Sequence, residues 1–129
     1  MHRLSLTLLP DLLALCRLPP GAAVPAPPAT GGLWSVTRTA DELSVVLPEA
    51  ALPLDGKTEA GWRALRVDGT LDFALTGILA SLATPLAEAG VSLFAVSTFD
   101  TDYILVRAKD LDAACSALAA AGHSLHGER

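Results

Sequence analysis

The stretch VSLFAVSTFDTDYILVR, Val91–Arg107, decides the fold. Its two apolar runs, Val91–Thr98 and Tyr103–Arg107, are rich in the β-branched and aromatic residues that suit strands, and Phe99-Asp100-Thr101-Asp102 between them is a turn, so the stretch reads as a hairpin. Sixty residues earlier the pattern recurs: Leu33–Arg38 and Leu43–Leu47 flank Thr39-Ala40-Asp41-Glu42. At that offset Leu33-Trp34 meets Leu93-Phe94, Val36-Thr37 meets Val96-Ser97, Glu42 meets Asp102 and Val45-Val46 meets Leu105-Val106. Arg3 meets Arg63 at the same offset, strand against strand. Such a repeat sets the number of units before it sets the fold. Two related units are expected, the first over residues 1–60 and the second over 61–129.

Outward from the second hairpin, Trp62–Val67 reads as a strand with Leu65 and Val67 on one face. Thr76–Ala89 reads as a helix: Ile78, Leu82 and Leu86 fall four apart, Leu79 joins their stripe, and Gly90 stops it. Pro85 removes one backbone donor from that helix, which predicts a kink. Leu111, Ala114, Cys115, Leu118 and Ala121 mark a last helix, opened by Asp110 and closed by Gly122, with a short strand at Ser124-Leu125. The order is βαββαβ, an α+β ferredoxin-like unit whose antiparallel sheet carries its helices on one face. The first unit is degenerate. Strand Arg3–Leu9 is followed by a turn at Pro10-Asp11, and Leu12–Leu18 returns as a strand or as a short helix. Pro19–Gly32 is a proline-rich connection where the second unit has a helix, and Pro48–Gly61 is a second connection.

Met1-His2-Arg3 before Leu4–Cys16 has the outline of a signal peptide, with Gly21-Ala22-Ala23 as a cleavage region. Pro10 and Asp11 interrupt that stretch, however, and Leu4, Leu6 and Leu8 alternate with Ser5 and Thr7, the period of a strand. The chain has 129 residues, 51% hydrophobic and 18% charged, a globular composition. A net charge of −5 without a basic cluster argues against nucleic acid and anionic membranes as partners. No apolar run reaches the ~18 residues of a membrane span. Cys16 and Cys115 make no disulfide framework and read as buried thiols in a reducing, cytoplasmic setting.

Candidate site residues cluster at two places. Thr76-Gly77-Ile78 opens a helix, where free N–H groups and the positive end of the dipole suit a carboxylate, and Gly77 lets a ligand approach the main chain. A well-capped helix with Gly77 there for packing is the plainer reading. Ser97, Thr98 and Phe99 lead into the turn that Asp100 and Asp102 flank. Hydroxyls there can bind a ligand, Phe99 can wall it, and Asp102 can take an ammonium or a basic side chain. Edge packing for the first three, and turn stabilisation for the two aspartates, are the structural alternatives, and Asp100 is assigned to the turn. Ser35 and Val36 occupy related places in the first unit, and Glu42, matching Asp102, marks a second, weaker site. His2, His123 and His126 lack a converging metal-ligand pattern. No nucleophile–base pair, phosphate loop or paired carboxylates appear, so no catalytic residue, metal or cofactor is expected.

The segments Leu75–Leu79 through Pro85–Gly90, Ser97–Tyr103 and Trp34–Leu43 carry a resemblance over nearly the whole chain. The sequence resembles the small tandem ACT-domain proteins of bacteria, whose ACT units are similar to those of the CASTOR-type arginine sensors. The resemblance implies tandem ferredoxin-like ACT units with a ligand held between them, built from a strand-to-helix turn and a neighbouring strand. It also implies an amino acid or similar small molecule as ligand, a regulatory role without catalysis, and a homodimer. In the similar sensors an aspartate at the position of Asp102 binds a basic side chain. An interaction module that has lost its ligand is the competing expectation.

Overall fold

Both hairpins form, but their register is 59 and not sixty. The computed structural model describes residues 2–29, 31–72 and 75–129. In the first hairpin β3 (Ser35–Arg38) pairs with β4 (Leu43–Pro48), and in the second β6 (Leu93–Ser97) pairs with β7 (Asp102–Arg107). Arg38 opposes Leu43 at one turn as Ser97 opposes Asp102 at the other. Thr39 and Thr98 open the turns alike: each backbone N–H donates to the carbonyl three residues on, Glu42 at 2.9 Å and Thr101 at 2.8 Å. Glu42 therefore matches Thr101 and not Asp102, and the expected second site at Glu42 loses its basis. The apolar runs Val45–Leu47 and Ile104–Val106 fit either offset, and a one-residue slip exchanges the faces of a strand. The turn hydroxyls decide it, since the Thr39 and Thr98 side chains also accept backbone N–H bonds within their own turns.

The chain forms two compact units, Asp11–Trp62 and Met1–Pro10 together with Arg63–Arg129. The first strand, expected in the first unit, belongs to the second. In Asp11–Trp62, β2 (Leu13–Leu18) is a strand and not a helix, pairing antiparallel with β4. Beyond it runs β5 (Lys57–Val67), which begins five residues before the expected Trp62. Lys57–Ala60 are all exposed, so the sequence shows no alternation there to read; the strand forms because Arg17, Cys16 and Leu15 pair with Lys57, Thr58 and Glu59. Ala14, Cys16 and Leu18 pack on Leu43, Val45 and Leu47, with Trp34, Val36 and Leu54 against them.

In the other unit β5 is the opening strand and pairs with β7. Helix α1 (Ile78–Glu88) and helix α2 (Leu111–Ala120) supply Leu82, Leu86, Ala114 and Leu118 to a core with Leu65, Val67, Ile104 and Val106. The last strand β8 (Ser124–His126) does not pair with β5 directly. Strand β1 (Ser5–Leu8) lies between them, antiparallel to β5 (Leu6 opposite Val67) and parallel to β8 (Leu6 opposite Leu125). Leu6 and Leu8 are buried in this unit's core. The residue that corresponds to Arg63 by topology is thus on β2, and the Arg3–Arg63 match is a coincidence of offset. Asp68 closes the β1–β5 pair: Ser5 and Thr7 donate to its carboxylate at 2.8 and 2.6 Å, and its N–H donates to the Ser5 carbonyl at 2.9 Å.

The buried stripe of α1 is Ile78, Ser81, Leu82, Pro85 and Leu86. Leu79, expected in it, is 40% exposed, because it sits one step of about 100° off that face. The helix runs unbroken through Pro85 to Glu88. Pro85 cannot donate to the Ser81 carbonyl one turn back. The Nε2 of buried His123 lies 2.8 Å from that oxygen, and its Nδ1 lies 3.1 Å from the Leu4 amide. An amide can only donate and a carbonyl only accept, so the ring carries its proton on Nε2 and accepts at Nδ1.

Replacing His123 by Ala leaves both backbone groups without a partner and should cost about 2–3 kcal/mol in denaturant unfolding. Desolvation raises the Asp68 carboxyl, but hydrogen bonds from Thr7, Ser5 and Arg66, with the Arg66 charge, outweigh it and hold its pKa below the usual value. That stability is complete above the unfolded value of about 3.9 and is lost as pH falls through the lower folded value. Asp68→Asn should therefore flatten the acid limb of a pH–stability curve while leaving its shape near neutrality unchanged.

Candidate functional site

A cleft of about 150 Å³ opens where α1 begins, and it is built within one unit. Three segments meet there. The turn after β6 is rigid: Thr98 and Thr101 exchange main-chain and hydroxyl bonds, and the Thr101 hydroxyl donates to the buried Val67 carbonyl at 2.7 Å. The loop after β5 is tied to that turn by the Leu71 amide, which donates to the Asp100 carbonyl at 2.7 Å. The third segment is the start of α1. Gly77 is its N-cap in the left-handed region (φ 79°), a conformation that a β-carbon disfavours. No side chain caps this end and no acidic residue sits in the first turn, so the positive end of the helix dipole is left for another group.

The structure brings four of the nine expected residues into the lining: Ile78, Thr98, Phe99 and Asp102. Ser97 stands behind them, its hydroxyl donating to Asp102 Oδ1 at 2.6 Å and so setting that carboxylate's direction. Thr76 and Gly77 position the helix start but do not line the cleft. The Thr76 carbonyl accepts from His2 Nε2 at 2.7 Å, and the Gly77 carbonyl is taken by both the amide and the hydroxyl of Ser81. Ser35 and Val36 lie on β3 of the other unit, where Val36 packs on that unit's own core.

Sequence reasoning missed Leu71, Asp72, Leu75, Asp100 and Thr101. Asp100 was visible as a turn residue, and its side chain also borders the cleft. Leu71 and Asp72 carry no local signal, because only the long-range bond from Leu71 to Asp100 delivers them. The cleft therefore presents three carboxylates, Asp72, Asp100 and Asp102, and its lining holds no lysine or arginine. One side favours a cation and the other, at α1, favours an anion. The volume is below the ~300 Å³ at which drug-sized sites begin, and suits a ligand no larger than an amino acid. His123 and His126 do not form a metal pair, since His123 is bonded at both ring nitrogens.

The ACT-domain family model matches residues 57–120, and a second model, describing an N-terminal domain, matches residues 11–55. A crystal structure of an Agrobacterium tumefaciens protein is 39% identical over the whole of both chains, with a TM-score of 0.89. This chain belongs to the ACT-domain family. It is a regulatory type of domain, and its fold is the expected ferredoxin-like α+β one. The human cytosolic arginine sensor for mTORC1 subunit 1 is 34% identical over a 97-residue alignment that covers 67% of this chain and 30% of that protein. The chain thus spans under two thirds of the curated relatives it matches, and 56% of human CASTOR3P. The regulatory subunit of aspartate kinase from Thermus thermophilus shares the fold, with a TM-score of 0.59, 12% identity, and 90% and 95% of the two chains covered. The boundary between the two matched models falls close to the division of the compact units and leaves residues 1–10 outside the first model. Among the described residues no helix is long and apolar enough to cross a membrane.

A β-carbon at Gly77 would meet only His2 Cδ2, at 3.9 Å, so the cost of Gly77→Ala is conformational and not steric. The variant should lose about 1–2 kcal/mol of stability by chemical denaturation.

Proposed function

We propose that the chain is a cytoplasmic amino-acid sensor domain that binds a ligand with a cationic side chain, arginine first, in the cleft at the start of α1. The observation that carries this reading is the charge layout of the cleft. Three carboxylates border it, its lining contributes no basic side chain, and an uncapped helix N-terminus adjoins it. An α-carboxylate suits the helix end, where Leu79 and Ala80 have no intrahelical acceptor for their N–H groups. The ammonium and the guanidinium suit the aspartates, with Asp102 held in place by Ser97. The similarity to a cytosolic arginine sensor supports the same ligand class. The domain acts by binding and not by catalysis, and a second copy of the chain closes over the exposed mouth at Leu75 and Phe99, which are 47% and 79% exposed.

Those exposed side chains also favour a second reading, an interaction module whose apolar rim meets a partner without any small ligand. Calorimetric titration separates the two. Arginine should bind, and citrulline, which lacks the charge, should bind about tenfold more weakly or worse. Asp102→Ala should weaken arginine binding more than Asp100→Ala, and equal effects would remove Asp102 as the specificity residue. If none of the free amino acids gives heat, while Phe99→Ser shifts the sedimentation coefficient of the free protein, the interaction module replaces the sensor.

A further inference from the structure

The unit Asp11–Trp62 holds an open pocket of about 430 Å³, lined wholly by its own residues. Leu18 at the end of β2, Leu54, and the connection through Ala22, Val24 and Pro25 line it, and Asp55 is the single ionisable residue in its lining. Its origin lies in the sequence. The stretch 19–28 contains Pro19, Pro20, Pro25, Pro27 and Pro28, which cannot donate to a helix or a strand ladder, and it forms neither. Between β5 and β6 the other unit has α1, whose Leu82 and Leu86 fill the space over the sheet. The alanine, valine and proline side chains of the connection are too short to do the same.

The connection is nevertheless held in place. The Arg38 guanidinium donates to the Pro20 carbonyl and, at 2.7 Å, to the Ala22 carbonyl, and the Ala22 amide donates to the Pro19 carbonyl at 3.0 Å. Three of its carbonyls and the Ala22 amide are thereby bonded, and apart from Asp55 the lining is apolar. Trp34 packs on the same core as Ala22 and Leu54, and its buried indole N–H has no hydrogen-bond partner.

We propose that this cavity is a second ligand site, for a small hydrophobic amine. An aromatic ring or short aliphatic chain fills the apolar space, and the ammonium lies beside Asp55. The volume falls within the ~300–1,000 Å³ of small-molecule sites, and a lone carboxylate selects an amine over an acid of the same shape. This site does not depend on the amino-acid reading of the α1 cleft.

The test is a titration of the full-length, ¹⁵N-labelled protein, read at the two tryptophan indole N–H signals. Phenethylamine, 2-phenylethanol and 3-phenylpropionate present one ring with positive, neutral and negative ends. The expected result is a saturable shift of the Trp34 signal with the amine, and binding of the acid about tenfold weaker. Asp55→Asn should bring the amine down to the level of the alcohol. Ala22→Phe should fill the cavity and abolish the shift. Should that variant not fold, Val24→Lys, at a position 49% exposed, reverses the preference from amine to acid. A Trp34 signal that no probe moves overturns the site, and so does saturable binding that persists in folded Ala22→Phe. Acid binding as tight as amine binding overturns the ligand class.

Discussion

Pro85 cannot donate to the Ser81 carbonyl, and the ring of His123 makes the missing bond from outside the helix. That one substitution of donors ties three elements together. The same ring accepts from Leu4 at the threshold of β1, and its own backbone leads directly into β8, whose Ser124 amide donates to the Leu4 carbonyl at 2.9 Å. Strand β1 can sit between β5 and β8 only if the chain before it is fixed, and the Leu4–His123 pair fixes it. The Ser81 hydroxyl, bonded to the Gly77 carbonyl and to the His2 amide, carries the same network to the N-cap of α1. A buried polar group is stable only when satisfied, so this is a rigid joint and not a loose one.

The candidate site inherits that rigidity. Its helix end is braced by His2 and Ser81, and its turn by the Thr98–Thr101 bonds and by Val67. Three aspartates border a small cleft whose lining holds no lysine or arginine. The cleft lies in the part of the chain that the ACT-domain family model matches.

The two units use one plan with different means. In one, helices cover the sheet; in the other a 3-10 turn at Glu49–Ala51 and a proline-rich strap stand in their places. Strand β5 serves both, closing the first unit with residues 57–62 and opening the second with 63–67. The strap economises on hydrophobic side chains, and the cavity beneath it follows from that.

The sequence by itself determined the two hairpins, the apolar stripe of Ile78, Leu82 and Leu86, the last helix, and the βαββαβ order, because each is written in residues near one another with the period of its element. It also pointed to Ile78, Thr98, Phe99 and Asp102, which line the cleft, since a helix start and a turn are local features. Tertiary structure alone decided the rest. The hairpin register of 59 depends on which turn hydroxyls bond, while the apolar runs allow either offset. The start of β5 depends on its partner β2, because exposed Lys57–Ala60 carry no alternation. The insertion of β1 depends on pairings between residues some sixty or more apart, Leu6 with Val67 and with Leu125. Asp72 and Leu71 reach the cleft through one long-range hydrogen bond. Contacts of that separation leave no periodic trace, so a sequence can be read for its elements well before it can be read for what stands between them.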